Sequence, residues 1–129
     1  MKLRTETQIS HNLVKALEKN KRSDQHFSYT RLESNMTAQG IPDAILCIGG
    51  REIWLEFKVQ PNTPSPLQIG FALARLKAGN PNCFVITELT RLDKGRLSLR
   101  MAWAYNDTTL GHIFDYDELT KFLLNIGEK

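Results

Sequence analysis

Charged residues interrupt a largely apolar stretch of the 129-residue sequence. The stretch GIPDAILCIGGREIWLEFKVQ, residues 40–60, is rich in the β-branched and aromatic residues that are typical of buried sheet. It nevertheless contains Asp43, Glu56 and Lys58. Charged side chains on buried strands are costly unless they are paired or used for chemistry, so these three residues are the first candidates for a functional site.

The glycine pair at 49–50 predicts a hairpin that brings the two acids together, because a Gly-Gly pair between two apolar runs indicates a two-residue turn. The register of such a turn places Asp43 directly opposite Glu56, with their Cβ atoms about 4.5–5.5 Å apart. Lys58 lies two residues beyond Glu56 and therefore shares its face of the strand. Trp54 shares that face too, and we expect it to pack beneath the first helix rather than stack on a base.

Two carboxylates at this spacing repel each other, and burial increases the free-energy cost. Lys58 can neutralise one charge, whereas a divalent cation neutralises both. Mg²⁺, with Mn²⁺ as its substitute, prefers one or two carboxylates together with water and phosphate oxygens. Such a site suits phosphodiester hydrolysis, in which Lys58 could orient or deprotonate the attacking water or stabilise the developing charge. The alternative is a structural salt bridge between Lys58 and the two acids.

The elements that must position these residues can be assigned from periodicity and end signals. Helical spacing predicts a first helix over 5–20, with Thr5 and Gln8 as a capping box. A second helix begins after Ser65 and is closed by Gly79-Asn80, and a third begins with the capping box of residues 115–118. Strands are predicted over 26–34, 44–48, 51–58, 82–89 and 96–105. The resulting order αβββαββα predicts one α/β domain over 1–129 with a mixed central sheet flanked by helices.

Composition favours a globular chain with 41% hydrophobic and 24% charged residues. No apolar run of about 18 residues is present, so no membrane span is expected. The amino-terminal residues lack the apolar core of a secretory signal. Cys47 and Cys83 lie in apolar strands, and we expect them to be buried free thiols of a protein in the reducing cytoplasm.

The charge is unevenly distributed along the chain. Residues 1–106 contain 15 Lys and Arg against 9 Asp and Glu, whereas residues 107–129 contain 2 against 5. The net charge of the whole chain is +3. A basic body of this kind favours a polyanionic partner.

The Pro-Asp dipeptide followed by EFK resembles the motif of the PD-(D/E)XK nuclease superfamily. The segments GIPDAI, IWLEFK, PSPLQ, LKAGN and FVI, in this order over residues 6–90, are similar to its virus-type replication-repair nuclease (VRR-NUC) branch. The resemblance implies a restriction-endonuclease-like fold. It also implies a metal ion bound by Asp43, Glu56 and the backbone carbonyl of Phe57, with Lys58 as the catalytic lysine.

The resemblance implies two further site residues, each with a structural alternative. Gln68 is expected to reach the site, but it also occupies the position that completes a capping box with Ser65. Glu6 matches the acidic residue that the family places on its first helix, although any acid is favoured in a first helical turn. Glu18 and Glu33 are rivals for that role. The number of metal ions, one or two, stays open.

The function expected from these observations is a metal-dependent DNA endonuclease that acts on branched DNA, as a Holliday junction resolvase does. A homodimer would allow two strands to be cut symmetrically. The chain is short for a separate target-recognition domain, so the shape and phosphate charge of the DNA are the expected determinants. The alternatives are a catalytically inactive nucleic-acid-binding module of the same fold and a structural protein with a coincidental motif.

Overall fold

The order of the elements follows the prediction closely. A computed structural model describes residues 6–32, 40–89, 95–107 and 111–128. The helices in these ranges are α1 (Glu6–Asn20), α2 (Pro66–Lys77) and α3 (Tyr116–Ile126). The strands are β1 (Phe27–Arg31), β2 (Ala44–Ile48), β3 (Arg51–Val59), β4 (Cys83–Glu88), β5 (Leu97–Met101) and β6 (His112–Phe114). A 3-10 turn, Ala102–Ala104, follows β5.

The six strands form one sheet whose spatial order is the order of the chain, from β1 to β6. β3 and β4 are parallel, and the other neighbouring pairs are antiparallel, so the predicted mixed sheet is confirmed. A parallel pair requires a crossover connection, which α2 supplies.

The β2–β3 hairpin has the register that the glycine pair predicts. Ile48 pairs with Arg51, and the pairing continues to Ala44 opposite Leu55. Gly49 and Gly50 both have positive φ angles, 57° and 76°, a conformation that side-chain-bearing residues rarely adopt. The turn chemistry therefore fixes which residues face each other at the far end of the hairpin.

The core is divided between the two faces of the sheet. On one face, α1 and α3 bury apolar side chains against alternate residues of the central strands, among them Ile9, Leu13, Leu17, Leu46, Ile53, Leu55, Phe57, Leu119 and Leu123. Each fully buried aliphatic side chain stabilises the fold by roughly 1.5–3 kcal/mol. A smaller cluster on the other face lies under α2 and the 3-10 turn and contains Ala72, Cys83, Val85 and Ala102.

Trp54 belongs to this smaller cluster, so its expected position beneath the first helix is wrong. Its ring lies edge-on to Phe71 of α2 at a centroid distance of 5.1 Å, and the Arg75 guanidinium lies 5.3 Å from its centroid. The reason is the alternation of the strand. Trp54 points to the same face as Glu56, and the crossover helix covers that face.

Two of the predicted capping boxes are confirmed. Ser65 and Gln68 exchange side-chain-to-backbone hydrogen bonds at the start of α2, and Asp115 and Glu118 do the same at the start of α3. These bonds satisfy N–H groups that the first turn of a helix leaves unpaired. The third box, at Thr5, lies outside the described residues.

The structure differs from the prediction near the carboxyl terminus. The strand predicted over 96–105 ends at Met101 and turns into the 3-10 segment, so it is shorter than expected. His112–Phe114 then forms a short sixth strand that pairs with β5, which the sequence did not predict. Three residues are too few to show strand alternation, so only the pairing with β5 defines this strand.

The two cysteines are free thiols, as expected, although only Cys83 is buried and Cys47 is half-buried. The last residue of α1 contacts the first turn of α3, because the Asn20 side-chain amide donates a hydrogen bond to Asp117 Oδ1 at 2.9 Å. Within the described ranges, none of the helices has the length and apolar character needed to cross a membrane.

Candidate active site

Asp43 and Glu56 lie next to each other at the open end of the β2–β3 hairpin. Both residues are buried, with 9% and 2% of their surface exposed. The Asp43 backbone N–H donates to Glu56 Oε1 at 3.1 Å, and the Phe57 N–H donates to Asp43 Oδ2 at 2.9 Å. Each carboxylate is therefore held by a backbone donor from the opposite strand, and the predicted pairing of the two acids agrees with the geometry.

Pro42 explains why the ladder opens at this point. The N–H and C=O of a strand residue point to the same side, and the Phe57 N–H points towards Asp43, so its carbonyl does too. The hairpin register, continued beyond Ala44, would place Pro42 opposite Phe57. Proline has no N–H to donate to that carbonyl. Pro42 therefore cannot continue the ladder, and the Phe57 N–H bonds to the Asp43 carboxylate.

Lys58 and Gln68 converge on the same carboxylate oxygen. The Lys58 ammonium lies 3.2 Å from Glu56 Oε2, and its side chain is only 15% exposed. The Gln68 side-chain amide donates to that oxygen as well. Its own oxygen accepts the Ser65 N–H at 2.8 Å. Gln68 therefore completes the capping box through its oxygen and contacts Glu56 through its nitrogen, and its part in catalysis stays a prediction.

The paired carboxylates of Asp43 and Glu56 carry more negative charge than their surroundings compensate. Burial, and then the charge of Asp43, raise the pKa of Glu56 to about 7, while Lys58 acts in the opposite direction. At neutral pH the carboxyl group of Glu56 is thus divided between its protonated and ionised forms. One ammonium group does not fully compensate two buried carboxylates, so the site favours an additional proton or cation.

Glu6, the first residue of α1, lies at the edge of this cluster. Its pKa is raised by partial burial and by the charge of Asp43, and lowered by Lys58 and Arg31. Of its two rivals, Glu18 is exposed on α1, and Glu33 lies outside the described residues. Over the described parts of the chain, no group of three or more His, Cys, Asp or Glu side chains converges closely enough to hold a metal ion. Glu6 is therefore coupled to the site electrostatically and stays a predicted participant.

The groups at the open end of the hairpin fit a magnesium ion in their donor chemistry. Asp43 and Glu56 offer carboxylate oxygens, and strand geometry would direct the Phe57 carbonyl oxygen to the same side as its N–H, which bonds to Asp43. These are hard oxygen donors of the kind that Mg²⁺ binds, with water and substrate completing the coordination. The raised pKa of Glu56 also agrees with a metal site, because a divalent cation would compensate the negative charges of both carboxylates.

Gly40 couples the loop that carries Asp43 to the helix that carries Gln68. It has a φ of +86°, and a Cβ atom built on it would lie 2.4 Å from the carbonyl oxygen of Leu67. That distance is shorter than any acceptable contact with a backbone atom. The close approach of the two backbones therefore requires glycine, and it sets the position of Asp43 relative to α2.

We expect Gly40→Ala to damage the candidate site more than Gly79→Ala. Both glycines have positive φ angles, but nothing lies within 4 Å of a Cβ atom at Gly79. The two variants therefore share the conformational cost of about 1 kcal/mol, and only Gly40→Ala adds a backbone collision. Chemical denaturation should show a larger loss for Gly40→Ala, by about 1–3 kcal/mol. Equal losses in the two variants would contradict this account of the loop.

Sequence reasoning missed Arg31, the last residue of β1. Its guanidinium lowers the pKa of Glu6 and lies 5.9 Å from the centre of the Phe57 ring. The alternation of β1 indicated which face Arg31 occupies, but not that this face meets Glu6. That proximity depends on how α1 packs on the sheet, which periodicity does not specify.

A comparison with protein-family models finds no matching family. A comparison with curated proteins finds no significant match. The resemblance to a nuclease branch therefore depends on the short motifs and on the arrangement of the residues that carry them.

Proposed function

We propose that the chain is a Mg²⁺-dependent DNA endonuclease of the PD-(D/E)XK type, belonging to the VRR-NUC branch and having its restriction-endonuclease-like topology. The observation that carries the proposal is the buried pair Asp43–Glu56, which shares one end of the sheet with Lys58 and Gln68. The mixed sheet with helices on both faces is consistent with this topology.

Each residue has a role that its contacts support. Asp43, Glu56 and the Phe57 carbonyl would hold Mg²⁺, which supplies an acidified water and charge neutralisation when bound. Gln68 and Lys58 hold one oxygen of Glu56, so the carboxylate is fixed in orientation before substrate binds. The Lys58 ammonium would orient the attacking water and stabilise charge developing on the phosphate, whereas its neutral amine is the form that would deprotonate the water.

Branched DNA, such as a four-way junction, is the proposed substrate, and a homodimer is the proposed assembly. The basic excess over residues 1–106 supports a polyanionic partner, and two symmetrically placed sites would cut a junction on both strands. The free thiols of Cys47 and Cys83 support a reducing compartment such as the cytoplasm.

Cleavage should require Mg²⁺ or Mn²⁺, whereas Ca²⁺ should support DNA binding without cutting. Ca²⁺ accepts the same oxygen donors but has longer bonds and a looser geometry. The measurement is incubation of the protein with single-stranded, duplex, flap and four-way junction DNA in each metal. Cutting that persists undiminished in excess EDTA would contradict the metal requirement. Metal-dependent DNA binding without cutting of any substrate would instead indicate the inactive binding module.

A further inference from the structure

A cleft lined by both polar and apolar side chains lies between α1 and β1, beside the candidate active site. Its volume is about 550 Å³. Residues of α1 line one wall and residues of β1 and its end line the other: Thr7, Ser10, His11 and Val14, and Tyr29, Arg31 and Leu32. The Ser10 hydroxyl and the Tyr29 hydroxyl are hydrogen-bonded to each other across it.

The cleft is joined to the acid pair through the backbone and through charge. The Leu32 N–H donates to the Asp43 carbonyl oxygen at 2.8 Å, so a cleft-lining residue and a site residue share a hydrogen bond. Arg31 pairs with Ala44, the residue that follows Asp43. The charges of Asp43 and Arg31 shift the pKa of Glu6 in opposite directions, so both lie within electrostatic reach of it.

The groups along the cleft are suited to a phosphate backbone. They comprise a guanidinium, an imidazole and hydroxyl groups, and the described residues that line the cleft include no carboxylate. Guanidinium and hydroxyl donors are the usual partners of DNA phosphates. A larger cleft of about 640 Å³ beside the Gly49 turn differs in this respect, because Asp24 and Glu128 line it. The α1–β1 cleft therefore combines a guanidinium with a lining free of carboxylates among its described residues, which favours an anionic strand.

Arg31 is the residue best placed to hold a phosphate there. Its guanidinium lies over the Phe57 ring at 5.9 Å, a cation–π contact that limits its freedom while the residue as a whole stays exposed. A cation held in this way loses less side-chain entropy on binding than a mobile lysine. Phe57 is also a residue of the candidate site, so the position of the bound phosphate would be fixed relative to the acids.

We propose that the α1–β1 cleft binds the sugar-phosphate backbone of the strand to be cut, with Arg31 holding a phosphate that flanks the scissile one. This inference rests on the proposed nuclease function and specifies how its substrate lies in the site. Arg31 is a substrate-positioning residue that does not touch the reacting water.

The test compares Arg31→Gln with Lys77→Gln, a control that removes one positive charge from the exposed last turn of α2, at the opposite end of that helix from Gln68. Binding of a fluorescent four-way junction is followed by anisotropy in Ca²⁺ at several salt concentrations. Arg31→Gln should raise Kd about tenfold and reduce the salt dependence by about one phosphate contact. In Mg²⁺ its KM should rise while kcat stays within a few-fold, and Arg31→Lys should restore part of the affinity.

His11→Gln, on the opposite wall, should shift Kd in the same direction to a smaller extent, and it tests the cleft if Arg31→Gln does not fold. The proposal would be overturned if Arg31→Gln and His11→Gln both bound DNA as tightly as Lys77→Gln. If the parent protein cuts DNA but these variants bind like the control, only the cleft proposal fails. If the parent never cuts but Arg31→Gln weakens binding, the nuclease function fails and the cleft stands.

Discussion

Lys58→Ala is expected to abolish DNA cutting while leaving DNA affinity within a few-fold of the parent. The Lys58 ammonium lies 3.2 Å from Glu56 and is mostly buried, so it contributes little to the attraction of phosphates over the surface. A lysine that orients water or stabilises developing charge acts mainly in the transition state, and its loss should appear in the rate at saturating substrate. Single-turnover cleavage and a salt-titrated binding curve measure the two effects separately.

The assay needs saturating Mg²⁺, because Lys58 lowers the pKa of Glu56 and its removal also changes the charge of the metal site. Lys77→Ala is the matched control, since it removes an exposed lysine from α2 and leaves the candidate site intact. Binding of both variants should still weaken with salt, because counterion release depends on the remaining basic surface. Parental cutting by Lys58→Ala would show that the lysine is only a structural partner of the acids.

Asp43→Asn is expected to abolish cutting and to stabilise the metal-free protein above neutral pH. The asparagine oxygen can still accept the Phe57 N–H, so the local backbone geometry is retained. The substitution removes one of the two negative charges that repel each other in the site. DNA binding should also tighten, because a negative charge that faces the DNA phosphates is lost. Cleavage assays, DNA titrations and thermal unfolding in EDTA report on the three effects.

The pH dependence of unfolding follows from Glu56. Burial and the charge of Asp43 raise its pKa to about 7 in the folded protein, from 4.5 as its ordinary value. The folded state therefore binds the proton more tightly than the unfolded state, and the stability of the metal-free protein should fall as pH rises from 4.5 to about 7. The full effect is about 3 kcal/mol, at 1.36 kcal/mol for each pH unit. In Asp43→Asn, where only burial raises the pKa, this loss should be smaller.

Glu18→Gln provides the control for this experiment, because it neutralises an exposed carboxylate on α1. It should leave the pH dependence of unfolding and the cutting rate unchanged, and a loss of cutting would identify Glu18 as the missing acid. A metal-free parent protein with constant stability across this pH range would contradict the electrostatic description of the pair.

The hairpin and its acids could be predicted because local rules determine them. The glycine pair at 49–50 fixes the register, and the register alone places Asp43 against Glu56. Capping-box spacing likewise predicted the start of α2, and with it the position of Gln68.

The remaining features depend on packing between distant segments. The side of the sheet that α2 covers decides the environment of Trp54, and the packing of α1 on the sheet decides that Arg31 is near enough to lower the pKa of Glu6. Neither is encoded in the spacing of apolar residues. The short strand at 112–114 is defined by its pairing with β5, and its three residues are too few to predict a strand from the sequence.

The chain-ordered sheet has a consequence for how the protein folds. Every pair of neighbouring strands is consecutive along the chain, so each pairing closes only one intervening connection. Sheet pairing in such a topology joins strands that follow one another along the chain, so loop-closure entropy opposes each pairing only weakly. The two acids meet within a hairpin that can form early and locally. The docking of α3 on α1, where Asn20 meets Asp117, is the step that must bring distant parts of the chain together, and we expect it to govern the folding rate.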